Sequence, residues 1–191
     1  GSGSEYACMC AACGVRVTPV TRALEHDAFA GVIDHVDLGT PIVVAVGERA
    51  LPDVLTRIAA ARRDDVVLVQ NELFPDVWRA IDAPGAPMSP TIAVVWSNVK
   101  KGRPIEIGRA TYVFGKHARF VCDVHAAIDV PCVEMSDVDA LDRELVAKYA
   151  FILAVNALGL ENPRTVGEWL DAEPARVDDI VNAFVALGER R

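Results

Sequence analysis

Branched apolar residues come in short continuous runs along this chain, and between the runs apolar positions recur at the spacing of one helix face. Pro41-Ile42-Val43-Val44-Ala45-Val46 and Asp65-Val66-Val67-Leu68-Val69-Gln70 are such runs. Continuous rather than alternating apolarity predicts strands covered on both faces, as in a parallel sheet. Between them Leu51, Val54, Leu55, Ile58 and Ala61 fall on one stripe, which predicts a helix over Leu51–Ala61 and so a β-α-β unit. Thr91–Trp96 reads as a further strand, Ile105–Ile107 and Ala110–Phe114 as a hairpin pair, His117–Ala127 as a helix and Val130–Met135 as a returning strand.

Ahead of these, small unbranched residues over Glu5–Cys13 predict a short helix, closed by Gly14. Branched and polar residues alternate over Val15–Arg22, the pattern of a half-exposed strand, which Pro19 confines to an edge. Phe74–Ile81 predicts another helix, followed by the Pro/Gly-rich link Ala83–Pro87, and Lys100–Arg103 a polar turn. The character changes at Asp137. Asp139–Leu160 reads as one long helix, and Arg164–Leu187 adds helical segments with no strand among them. The expectation is an α/β sheet domain over residues 1–136 and a helical region over 137–191.

Composition narrows what such a chain does. Of 191 residues, 52% are hydrophobic and 24% charged, enough to bury a sizeable core. Lys plus Arg number 19 against 27 Asp plus Glu, a net charge of −8, which removes the long-range attraction that nucleic acids and anionic membranes exert on basic proteins. The longest apolar runs fall short of the roughly 20 residues a membrane span needs. No basic stretch precedes an apolar run at the start, so the expected location is cytoplasmic. Five cysteines, an odd number, read as reduced thiols. Cys8, Cys10 and Cys13 lack a fourth ligand, and a helix turns Cys10 away from Cys13, so they read as small hydrophobes and no metal is expected. His26, His35, His117 and His125 show no ligand spacing; His125, with Asp123 and Asp129 nearby, reads as a surface arrangement.

Several motifs, in order, resemble the ketopantoate reductase family. Gly3-Ser4-Glu5-Tyr6-Ala7-Cys8-Met9-Cys10-Ala11-Ala12-Cys13-Gly14-Val15-Arg16-Val17-Thr18 looks like that family's first helix and second strand, entering at the third glycine of its nucleotide fingerprint. Leu68-Val69-Gln70-Asn71 resembles its strand ending in an Asn. Glu144-Leu145-Val146-Ala147-Lys148 and Leu153-Ala154-Val155-Asn156-Ala157-Leu158 resemble the long helix with its catalytic Lys and a substrate-binding Asn, and Thr165-Val166-Gly167-Glu168-Trp169-Leu170 the turn that follows.

The resemblance implies a Rossmann-like, mostly parallel sheet, shortened at both ends relative to the family, and an NADPH-dependent reductase of a small 2-oxo acid. It implies Lys148 as the general acid, Asn71 in contact with cofactor and substrate, and Asn156 holding the substrate's polar end. Gly3 and Ser4 would border the pyrophosphate of NADP, and Arg22 would meet its 2′-phosphate. On the residues alone, Lys148 also fits a solvated helix lysine, Asn156 a helix-end cap and Asn71 a turn-stabilising side chain, while Gly1-Ser2 fits a cloning remnant. The second functional class is a catalytically silent relative that binds a partner, in which a homodimer or another chain supplies the missing strand.

Overall fold

The computed structural model describes residues 2–20, 31–33, 35–69, 88–98, 105–161 and 164–188. Arg22, Asn71, the helix expected over Phe74–Ile81, the link Ala83–Pro87 and the turn Lys100–Arg103 lie outside the described residues. The chain divides into two compact units, Gly1–Leu141 and Asp142–Arg191.

The first unit opens with helix α1, Ser2–Ala12. It closes on Gly14 at φ +74°, with the Val15 N–H on the Cys10 carbonyl and the Gly14 N–H on that of Ala11. This paired closure needs a residue in the left-handed region, which glycine adopts without steric cost. Strands β1 (Ile42–Val44), β2 (Val66–Leu68), β3 (Thr91–Val94), β6 (Thr111–Phe114) and β7 (Cys132–Glu134) form one sheet in the order β1-β2-β3-β6-β7. β1, β2 and β3 run parallel, β6 is antiparallel to β3, and β7 is parallel to β6. The protein is thus α/β with a mostly parallel five-stranded sheet. Every residue of β2 and β3 is buried, as their unbroken apolar runs require.

Helix α2 (Leu51–Thr56) connects β1 to β2 and α3 (Ala118–Ala126) connects β6 to β7. Val67, Ala93 and Val113 from three adjacent strands form a buried cluster with Ala118 and Val121 of α3. Tyr6 and Cys10 of α1 form a second cluster with Val124 of α3, and Val43, Val69 and Phe120 pack against both. α1 and α3 therefore cover the same sheet face. Each fully buried valine there contributes about 1.5–3 kcal/mol.

Four expectations are corrected. Residues 15–20, expected to begin a strand, are irregular, and Val15, Val17 and Val20 are exposed; alternation without a partner ladder does not make a strand, and Pro19 offers no N–H to one. The helix expected to reach Ala61 stops at Thr56, where the Arg57 and Ile58 N–H groups bond carbonyls three residues back. Ala59 is then extended, and Ala60–Asp65 winds as a tighter 3-10 helix. Ile105–Ile107 and Ala110–Phe114 do not pair with each other. Instead β5 (Glu106–Ile107) pairs with β4 (Ser97–Asn98) while β6 pairs with β3, so both lie on the return arm of one long antiparallel excursion. The register shifts between the two ladders at Gly108-Arg109-Ala110, where the Gly108 N–H still reaches the Trp96 carbonyl at 3.3 Å. His125, expected at the surface, is fully buried, with Nδ1 2.8 Å from the Val121 carbonyl and its ring edge-on to Tyr6.

The helical region comprises α4 (Val138–Glu161), α5 (Val166–Ala172) and α6 (Pro174–Gly188). α5 begins with a reciprocal cap: the Thr165 hydroxyl accepts from the Glu168 N–H, and the Glu168 carboxylate accepts from the Thr165 N–H at 2.7 Å. The hydrogen bonds that this carboxylate accepts from the Thr165 N–H and, at 2.9 Å, from the Thr165 hydroxyl hold it below its ordinary range. Trp169, on the next position, is buried, with the Arg164 guanidinium 4.9 Å above its ring.

Candidate functional site

Among the described residues two places bury charge, and they do so in different ways. The first is Lys148, on α4. At 100° per residue, Leu141, Leu145, Lys148, Ile152 and Asn156 share one side of this helix. Burial fades along that side: Leu141, Leu145 and Lys148 are buried, Ile152 is half-buried and Asn156 is exposed. The buried residues of the second half, Ala150, Ala154 and Leu158, lie on the opposite side. α4 is therefore covered on one side over its first turns and on the other over its last.

Lys148 keeps only 7% of its surface exposed. Burial disfavours its charged form and brings its ammonium down to about 8. The proton on Nζ is then held loosely enough to be donated near neutral pH. Asn156 sits two turns further on, about 12 Å along the axis, at the open end of the same side. The structure thus places Lys148 and Asn156 on one helix side. Gly3 and Ser4 lie within the first turn of α1, not in a loop ahead of it.

The second place is Asp65, which ends the 3-10 turn and leads into the amino end of β2. Its side chain is 3% exposed. Oδ2 accepts from Arg62 Nε at 2.8 Å and from the Gly39 N–H at 2.9 Å; Oδ1 accepts from Lys116 Nζ at 2.6 Å and lies 3.4 Å from His117 Nε2. Burial by itself would raise this carboxyl. The hydrogen bonds from Lys116, Gly39 and Arg62 overcome it and hold the group far below the ordinary carboxylate range. Arg62 is itself buried, and it also donates to the carbonyls of Ile33, Val36 and Thr40.

Local backbone geometry makes this cluster possible. Gly115, at φ +124°, lies so close to β3 that an added Cβ would stand 2.7 Å from the Thr91 Cα. That approach lets the His117 N–H reach the Thr91 hydroxyl at 2.8 Å and brings Lys116 and His117 over Asp65. A depression of about 350 Å³ borders it, lined by His35, Val36, Asp37, Leu38, Ala61 and Arg62 among others. Four of the five Arg62 N–H donors are already placed on protein atoms, so the depression gains little hydrogen-bonding capacity from it. The Asp65 cluster ties the segment before β1, the turn before β2 and the turn after β6 together.

Sequence reasoning did not find this cluster. Arg62 and Asp65 stand at i, i+3, which is a visible signal, but Lys116 and His117 come about fifty residues later and are joined to it by the sheet alone. Among the described residues, no group of three or more His, Cys, Asp or Glu side chains is placed to hold a metal ion. No described helix is long and apolar enough to cross a membrane. Comparison with protein-family models, curated proteins and solved structures finds no match to this chain.

Proposed function

We propose that this chain is a Rossmann-like, NADPH-dependent reductase of a small 2-oxo acid, with Lys148 as the general acid. The observation that carries the reading is the burial of Lys148 and the consequent fall of its ammonium to about 8. A lysine tuned to that range is poised to give a proton to a carbonyl oxygen as hydride reaches the carbonyl carbon, and it is recharged from water at neutral pH. An exposed lysine, near 10.5, would hold its proton too tightly for the same task.

The fold supplies compatible surroundings. The parallel strands β1 and β2, joined through a helix, are the unit from which dinucleotide-binding sheets are assembled, and ligands of such sheets lie outside the carboxyl ends of the strands. β2 ends at Leu68, and Asn71 follows it by three residues in the sequence. Asn71 is assigned to cofactor and substrate contact, Arg22 to the 2′-phosphate, Gly3 and Ser4 to the pyrophosphate and Asn156 to the substrate's polar end. NADPH supplies the hydride; Lys148 supplies the proton.

The test is a fluorescence titration with NADPH, followed by loss of NADPH absorbance with a panel of 2-oxo acids. Saturable binding, and reduction that falls by about 100- to 10,000-fold in Lys148→Met, are the expected results. Absence of saturable binding at high micromolar NADPH, or activity that survives Lys148→Met, overturns the proposal.

A further inference from the structure

Cys122 lies on α3 and Cys132 opens β7. The chain turns between them through Asp129, at φ +56°, with the Val130 N–H on the His125 carbonyl and the Asp129 N–H on that of Ala126. This closure swings the backbone back along the helix, and β7 is then fixed by its register on β6, with Cys132 opposite Thr111. Both cysteines pack against the cluster formed by Val67, Ala93, Val113, Ala118 and Val121. Two rigid elements thereby hold the two sulfurs 3.2 Å apart. A disulfide needs about 2.05 Å, a closure that small side-chain rotations supply.

We propose that Cys122 and Cys132 form a reversible thiol–disulfide site, oxidised by small-molecule disulfides and restored by small-molecule thiols. Both are half-buried free thiols and both line an open depression of about 440 Å³, with Arg119, Asp123, Ala126 and Asp129 among the other lining residues. Reagent thus has access to the pair. The other three cysteines lack this arrangement. Cys8 is exposed on α1, Cys10 is buried, and the Cys13 sulfur lies 3.1 Å from the Met9 carbonyl and 3.6 Å from that of Val124.

Burial, and the contact with Cys122, push the Cys132 thiol up. The thiolate of one cysteine of the pair displaces one thiolate from the small disulfide and forms a mixed disulfide. The other cysteine then attacks that cysteine's sulfur and displaces the second thiolate. One internal S–S bond forms, the reagent's S–S bond breaks, and the two cysteine protons leave on two small thiols. Two electrons pass from the protein to the reagent.

The whole chain is equilibrated in buffers of graded oxidised to reduced glutathione, quenched with an alkylating agent, digested and weighed. A Cys122–Cys132 cross-linked peptide that rises with the oxidised fraction and disappears on reduction is the expected result. Cys132→Ser and Cys122→Ser should each abolish the cross-link and leave the remaining cysteine of the pair holding glutathione as a mixed disulfide. Cross-links scrambled onto Cys8 or Cys13, no cross-link at any ratio, or no glutathione on the remaining cysteine of either variant would overturn the proposal.

Discussion

Asp65 and Lys148 are both charged and both nearly withdrawn from water, yet burial leaves opposite marks on them. Asp65 is surrounded by donors from three separate segments, and its charged form is favoured despite burial. Lys148 has been moved towards neutrality by its burial, to about 8. A charge stabilised by its surroundings resists titration and serves architecture. A charge made less stable by its surroundings is ready to lose its proton, which is what acid catalysis uses. The first unit thus contains an ionic anchor, and the helical unit contains a lysine whose charged form burial disfavours.

The largest effect is expected from removing the anchor. Asp65→Ala leaves Arg62 buried without its carboxylate and should cost about 3–5 kcal/mol, read from urea unfolding; a cost under 1 kcal/mol would reduce the cluster to decoration. Gly115→Ala attacks the same cluster through the backbone, because its Cβ would press on Thr91. It should cost about 1–3 kcal/mol, read from the same unfolding curves.

Lys148→Met should act in the other direction, raising stability at pH 7 by about 1–3 kcal/mol because it replaces a buried charge with an apolar chain of similar length. Loss of stability would instead make the lysine an anchor like Asp65. The smallest expected effect is at the turn after α3, where Asp129→Gly relieves a left-handed backbone and should gain about 0.5–1 kcal/mol in the same assay.

The pH dependence separates the two charges by window: both make stability rise with pH, Asp65 in the acid range and Lys148 in the alkaline one. The folded Asp65 carboxyl titrates below its unfolded value, so its contribution is complete above the ordinary carboxylate range near pH 4 and is lost as the pH falls through the folded value. The folded Lys148 titrates at about 8 against 10.5 unfolded. Below pH 8 both states carry the proton and folding bears the whole cost of burying it. Between about pH 8 and 10.5 the folded form releases the proton first, so this group makes stability rise with pH, and Lys148→Met should remove that rise.

How far the fold could be read from the sequence follows the range of the interactions involved. Buried parallel strands announce themselves as continuous apolar runs, which is why Val66–Leu68 and Thr91–Val94 were legible, and Gly14 marked its helix end by the one conformation it favours. The partner of Ala110–Phe114 was not legible, because an adjacent segment and a distant one satisfy its pattern equally well. The Val15–Val20 segment carried strand propensity that nothing nearby could use. At the sites, helix spacing placed Lys148, Ile152 and Asn156 on one side of α4, but the fading of burial along that side depends on packing. The Asp65 cluster and the Cys122–Cys132 pair are creations of the sheet: their members are distant or unremarked in sequence and meet only when the strands are in register.

The most direct test of the distinction between the two buried charges is an NMR titration of the Lys148 side chain, with labelled lysine and Lys148→Met to assign the signal. The expected midpoint in the folded chain is near pH 8. A midpoint at the ordinary lysine value, about 10.4, would contradict it and withdraw the basis for Lys148 as an acid.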